Sequence, residues 1–147
     1  MVYFFCKKKN ITNLYMTCFW DGILRSLDIR DFQFGMKLNV KPQKTEFIRW
    51  LKRVNPYIVD VHWNNQELSK QEIEEHKKAI RSYKVDDIQS GHMCSSCDSF
   101  LLLISQIFQV NIQHSFTNHL ITYTNIKNAR KTLRFVSNLR HFQCARR

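Results

Sequence analysis

The chemistry this chain can offer begins with its thiols and imidazoles. Cys18 lies in Thr17-Cys18-Phe19-Trp20-Asp21-Gly22-Ile23-Leu24, directly before a run whose apolar residues recur at helical spacing. A thiol at a helix N-terminus meets the positive end of the helix dipole and free backbone N–H donors. Both favour the thiolate, the nucleophilic form. The same N–H groups can hold the oxyanion that forms when a thiolate attacks a carbonyl. The competing reading is a small buried thiol between aromatics, because free cysteine is among the most buried residue types. His141 follows the β-like run Thr132-Leu133-Arg134-Phe135-Val136, at or just beyond a strand end. A cysteine early on a helix and a histidine late on an adjacent strand can form a nucleophile and its base. Taken alone, His141 reads equally as an exposed terminal histidine.

A second constellation is Cys94-Ser95-Ser96-Cys97. Two cysteines at this spacing can share a zinc ion, with His92 or His76 joining them. A zinc ribbon needs a second pair at metal spacing, and the chain has none. His114 and His119, separated by a β-type turn, contribute only if folding brings them close. A redox dithiol needs a strand before the motif, and Asp87 to Met93 does not read as one. Inert thiols leading into a helix are the remaining reading. His62-Trp63-Asn64 forms a polar-aromatic loop that reads as a surface turn rather than part of a recognition face. No Gly-rich phosphate loop is present, so no nucleotide cofactor is expected.

The elements that must position these residues follow from periodicity. Val2 to Cys6 and Ile11 to Tyr15 read as short strands joined across Lys7-Asn10. Phe19, Trp20, Ile23, Leu24 and Leu27 predict a first helix over Phe19 to Leu27, with Asp28 and Asp31 marking its exit. Pro42 suits a helix first turn. Phe47, Trp50, Leu51 and Val54 form a helical stripe that ends before Pro56. Ser69-Lys70-Gln71-Glu72 matches a capping box, opening a polar helix to about Tyr83. Asp98 is a candidate N-cap for an apolar helix over Phe100 to Phe108, apolar nearly all round and therefore central and buried. Three β-like runs follow: Val110 to His114, Leu120 to Tyr123 and Thr132 to Val136. The order predicts a single α+β domain over residues 1–147, with helices packed on a small, mostly antiparallel sheet.

Composition sets the outer bounds. The chain has 147 residues, with 23 Lys+Arg against 12 Asp+Glu and a formal charge of +11. Its 11 Phe and 3 Trp supply enough apolar surface to offset the ordering entropy, which excludes a mainly disordered chain. Only 3 Gly and 2 Pro exclude collagen-like and Pro-rich linker roles. The longest apolar run, Phe100 to Ile104, falls far short of the roughly 20 residues that cross a bilayer. Val2 to Cys6 gives way to Lys7-Lys8-Lys9 too early for a signal-peptide core. An odd count of 5 Cys suits reduced thiols in a cytoplasmic setting better than a disulfide framework. The positive charge favours encounters with nucleic acid, acidic membranes or acidic proteins. It is spread along the chain, with short clusters at Lys7-Lys9 and Arg146-Arg147, so a merely solvated basic surface is the alternative.

Cys18-Phe19-Trp20 followed by Gly22-Ile23-Leu24 resembles the nucleophile segment of the ovarian-tumour (OTU) cysteine proteases. Asp98-Ser99-Phe100-Leu101-Leu102-Leu103-Ile104 through Val110-Asn111-Ile112 resembles their later acidic residue, apolar helix and strand. His141-Phe142 resembles their terminal His-aromatic pair after the last strand. The blocks stand in family order across residues 11–143. Asp98 to Asn125 is also similar in style to OTU-like proteins of large DNA viruses, which implies a viral protein of the host cytoplasm or virion. The resemblance implies an OTU-like papain-type fold and a thiol-dependent hydrolase, a deubiquitinase that removes ubiquitin or ubiquitin-like modifiers. Cys18 would be the nucleophile and His141 its base. Backbone N–H groups of Cys18 and the preceding loop would hold the oxyanion, and Gln143 stands where the family orients its histidine. Two departures bear on strength. Leu14-Tyr15-Met16-Thr17 carries neither the Asp nor the Gly that usually precedes the nucleophile. Gln143 replaces Asp or Asn; an amide accepts a hydrogen bond but supplies no charge. The alternatives are a catalytically weak or inactive OTU-like binding module and a basic nucleic-acid-binding protein, with Cys94 and Cys97 as its candidate metal ligands.

Overall fold

A computed structural model describes residues 13–87, 95–138 and 141–145. Its helices are α1 (Asn13–Ser26), α2 (Ile29–Met36), α3 (Lys44–Val54), α4 (Lys70–Ser82) and α5 (Ser95–Phe108). Its strands are β1 (Val61–Trp63), β2 (Gln66–Glu67), β3 (Asn111–Phe116), β4 (His119–Asn125), β5 (Thr132–Ser137) and β6 (Phe142–Cys144). A short 3-10 turn covers Val85–Asp87. The strands form one sheet in the order β2-β1-β4-β3-β5-β6, antiparallel except where β3 pairs parallel with β5. This is the expected α+β arrangement of helices on a mostly antiparallel sheet. Among the described residues no helix is long and apolar enough to cross a membrane.

Alternation along the strands decides which sheet face is covered. Ile112 and His114 of β3, Ile121 and Tyr123 of β4, Leu133 and Phe135 of β5 and Phe142 of β6 are all buried. Leu120, Arg134, Val136 and Gln143 fall between them and are exposed. Helix α5 lies between the covered face and helices α2 and α4. Phe100 through Ile104 show no exposed surface, as the apolar run predicts. Gly35 lets α2 approach the Phe108 ring, where a Cβ would collide.

Several local expectations hold. The Phe47, Trp50, Leu51 stripe is helix α3, which ends before Pro56. Ser69 and Glu72 form the reciprocal box that opens α4: Ser69 Oγ accepts from Glu72 N at 3.1 Å and Glu72 Oε1 from Ser69 N at 2.8 Å. The three β-like runs are strands β3, β4 and β5, and tight turns with positive φ at Thr117 and Asn118 close the β3–β4 hairpin.

Others are corrected. Asn13 to Tyr15 belong to α1, not to a strand; Val2 to Cys6 lies outside the described residues. Asp28 and Asp31 do not merely end a helix. They form the same two-bond box that opens α2, an Asp-x-x-Asp version of the Ser-x-x-Glu pattern. His62 and Trp63 sit in β1, and the turn is Asn64-Asn65, both at positive φ. Asp98 lies inside α5 rather than capping it. Its carboxylate accepts from Trp63 Nε1 at 3.2 Å and from the Tyr123 hydroxyl, tying α5 to β1 and β4. Burial pushes the Asp98 pKa up to about 6, against the lowering effect of those two donors.

Candidate active site

Cys18 stands on the second turn of α1, on the helix side that seats against β6. Phe19 fills the same seam, with its ring 4.7 Å from that of Phe142. Phe142 in turn stacks on Phe135 at 4.9 Å and lies 5.3 Å from the His114 ring. One helical turn after Cys18, Gly22 presents bare backbone to the Phe142 ring. A larger residue there would hold α1 off the strand.

His141 comes from the turn between β5 and β6, immediately before β6 rather than after the last strand. Two hydrogen bonds clamp its backbone. His141 N donates to Asn138 Oδ1 at 2.8 Å, and Asn138 N donates to His141 O at 2.9 Å. Ser137 and Phe142 pair on either side of this turn and fix its width. The result brings together two residues 123 positions apart: Cys18 Sγ lies 3.6 Å from His141 Nδ1. That is within sulfur hydrogen-bond reach, so the imidazole can take the thiol proton. Cys18 is half-buried and His141 exposed, so the sulfur borders solvent.

The electrostatics differ from the helix-start expectation. Helix α1 begins at Asn13, so the Cys18 amide donates within the helix to the carbonyl four residues back. The free N–H groups belong to the first turn, before Cys18. Cys18 therefore has neither the dipole end nor a free amide of its own for an oxyanion. Burial raises the thiol pKa above its ordinary value, and the Asp21 carboxylate raises it further. Lys44 acts in the opposite sense and forms an ion pair with Asp21 at 2.7 Å. Cys18 rests as the thiol at neutral pH, and its activation falls to His141. Asp21 and Lys44 had no place in the sequence reading, because their influence depends on Cys18 lying inside the helix. There Asp21, three residues on, shares its face.

Gln143 sits on β6 opposite Val136, exposed, and makes no hydrogen bond to His141 among the described residues. The backbone clamp through Asn138 is what holds the His141 turn.

The zinc constellation is not assembled among the described residues, where no group of three or more His, Cys, Asp or Glu converges. Cys97 is fully buried in α5, and desolvation with the neighbouring Asp98 pushes its thiol pKa well up. Cys94 and His92 lie outside the described residues. His76 is buried, with Nδ1 2.7 Å from Ser99 Oγ, and burial lowers its pKa to about 4. His114 faces the core, with Nε2 2.6 Å from Ser137 Oγ, while His119 is exposed at the start of β4. Cys144, half-buried on β6, is a third free thiol among the described residues.

No protein-family model matches this chain, and no curated protein or solved structure proved similar to it.

Proposed function

We propose that the chain is an OTU-like thiol hydrolase that removes ubiquitin or ubiquitin-like modifiers, with Cys18 as nucleophile and His141 as general base and acid. The 3.6 Å approach of Cys18 Sγ to His141 Nδ1 carries this reading. In the first step the thiol proton passes to His141 Nδ1 and the sulfur adds to the isopeptide carbonyl carbon. The tetrahedral intermediate collapses, the C–N bond breaks, and His141 returns the proton to the leaving lysine amine. A thioester remains. Water, giving its proton to His141, attacks that thioester, and the thiol leaves with the proton restored.

A second reading has its own support. The raised thiol pKa, the engaged Cys18 amide and the absence of a bond from Gln143 to His141 all describe a weak nucleophile. They favour an OTU-like module that binds the modifier and cleaves it slowly or not at all.

One experiment separates the two. The chain is incubated with ubiquitin carrying a C-terminal electrophile, and the modified residue is located by peptide mass analysis. The hydrolase reading expects an adduct on Cys18 that is lost in Cys18→Ala and in His141→Ala, while Cys97→Ala and Cys94→Ala still react. Ubiquitin binding without an adduct gives the binding module. An adduct elsewhere, or neither adduct nor binding, overturns the assignment.

A further inference from the structure

Helix α3 turns a row of cations outward. Arg49 and Arg53, four residues apart, share one exposed face, and Lys52 lies beside them. Opposite stands the segment that leaves α4. Lys52 Nζ donates to the Tyr83 carbonyl and joins the two walls. Between them runs an open groove of about 540 Å³ lined by Arg49, Lys52, Arg53, Lys84, Val85 and Asp86. Four cations thus face one carboxylate. Arg49, Arg53 and Lys84 form no ion pair among the described residues, in contrast to Lys44, Arg130 and Lys131.

A second concavity, of about 360 Å³, adjoins the first and shares Arg49 and Arg53 with it. Its floor is apolar, made of Met36, Leu38, Pro42 and the half-buried ring of Trp50. Trp50 is anchored on its inner side against Phe108, 6.3 Å between ring centres. Glu46 borders this pocket, but its carboxylate accepts from the Gln43 amide at the helix start, 3.2 Å away.

We infer that this double groove along α3 binds single-stranded nucleic acid, with the phosphate backbone on Arg49, Arg53, Lys52 and Lys84 and a base laid against Trp50. Cations alone attract any polyanion. The adjoining aromatic floor is what selects a strand whose bases are free to leave the stack. A run of Asp or Glu satisfies the cations but offers no flat group to the indole. The overall charge of +11 draws such a strand in, and the groove gives it a seat. This assignment goes beyond the hydrolase reading and does not depend on Cys18.

The test uses the full chain and a fluorescein-labelled oligothymidylate of 12 nucleotides, with binding read by anisotropy over a salt series. With three to four phosphates held, the logarithm of affinity should fall against that of salt with a slope of about −2 to −3. Arg49→Ala/Arg53→Ala should lose roughly tenfold in affinity and about 1.4 from that slope. Lys70→Ala/Lys78→Ala removes the same charge from exposed positions on α4. It should stay within about twofold of the parent if the groove is the seat. Unlabelled strand should quench tryptophan emission, and Trp50→Phe, which keeps a ring against Phe108, should abolish that quench. Circular dichroism melts check that each variant is folded. Equal losses in the two double variants would mean diffuse attraction and overturn the site. So would a quench that persists in Trp50→Phe, absence of binding, or preferential binding of polyglutamate, which would identify an acidic-protein surface.

Discussion

Gly22 and Phe142 meet so closely that a Cβ at Gly22 would stand 3.0 Å from Cδ1 and 3.1 Å from Cε1 of the ring. Cys18 is one turn before Gly22, and His141 directly precedes Phe142. The glycine–ring contact therefore sets the distance at which sulfur and imidazole face each other. In Gly22→Ala a helix-propensity gain of about 1 kcal/mol opposes an overpacking cost of about 1–3 kcal/mol. The melting temperature should move by only a few degrees. Labelling of Cys18 by the ubiquitin electrophile should slow by roughly tenfold or more, because the pair is misplaced. An unchanged labelling rate would show that this seat does not govern the pair.

The Cys18 thiol is held above its ordinary pKa partly by Asp21, against the opposing pull of Lys44. Removing the carboxylate charge in Asp21→Asn should lower that pKa and enlarge the thiolate fraction at pH 8. Lys44→Ala should raise it. The rate of Cys18 alkylation by iodoacetamide, followed from pH 7 to 10, reads both directions. Profiles that shift together or not at all would sink the electrostatic account.

Asp31 is buried, with 1% of its side chain exposed, and pairs with Arg130 at 3.0 Å and Lys131 at 2.6 Å. Arg130 also donates to the Phe108 carbonyl through Nε and Nη2. These bonds lock α2 and the end of α5 to the start of β5. Asp31→Asn leaves two cations facing a neutral amide and should cost about 2–3 kcal/mol, less than a fully buried pair because both cations keep some water. Urea unfolding measures it, and a loss below about half a kcal/mol would place the stabilisation elsewhere.

Stability should fall in acid. Burial lowers His76 and His114 to about 4, below their unfolded value near 6.5. Between those values the unfolded chain binds the extra protons, so the contribution of each is present above pH 6.5 and lost as pH falls towards 4. Asp98, raised to about 6, works in the opposite direction: over pH 6 to 4 it binds its proton in the folded chain first. It offsets about one histidine, leaving a net loss of about 3 kcal/mol between pH 6.5 and 4. Urea midpoints at pH 7.5 and 4.5 test this. His76→Gln/His114→Gln should reverse the difference, because only the Asp98 gain in acid then remains, and Asp98→Asn should steepen it.

Patterns carried by adjacent residues could be read along the chain. The 3.6-residue stripe of α3, the Ser69–Glu72 box, the all-apolar run of α5 and the β-branched and aromatic runs of β3 to β5 owe their form to local geometry. The α+β class follows from their order. Cys18 and His141 were recognisable as a candidate pair by type and family order, but not by distance. What brings them to 3.6 Å is long-range: Gly22 against Phe142, and a turn clamped by Asn138. Strands β1, β2 and β6, of 3, 2 and 3 residues, have no period to detect and exist only because a neighbouring strand edge pairs with them. The start of α1 was hidden for a related reason. Its first residues, Asn13 to Thr17, mix types that suit either state, and the folded chain takes helix there. That decision moved Cys18 off the helix end, and the character of its thiol changed with it. The same holds for the ionisable groups of the core. Asp98, His76 and His114 are ordinary polar residues in the sequence, and only burial among particular partners shifts their protonation; Asp31 likewise gains its energetic weight only from the two cations folded against it.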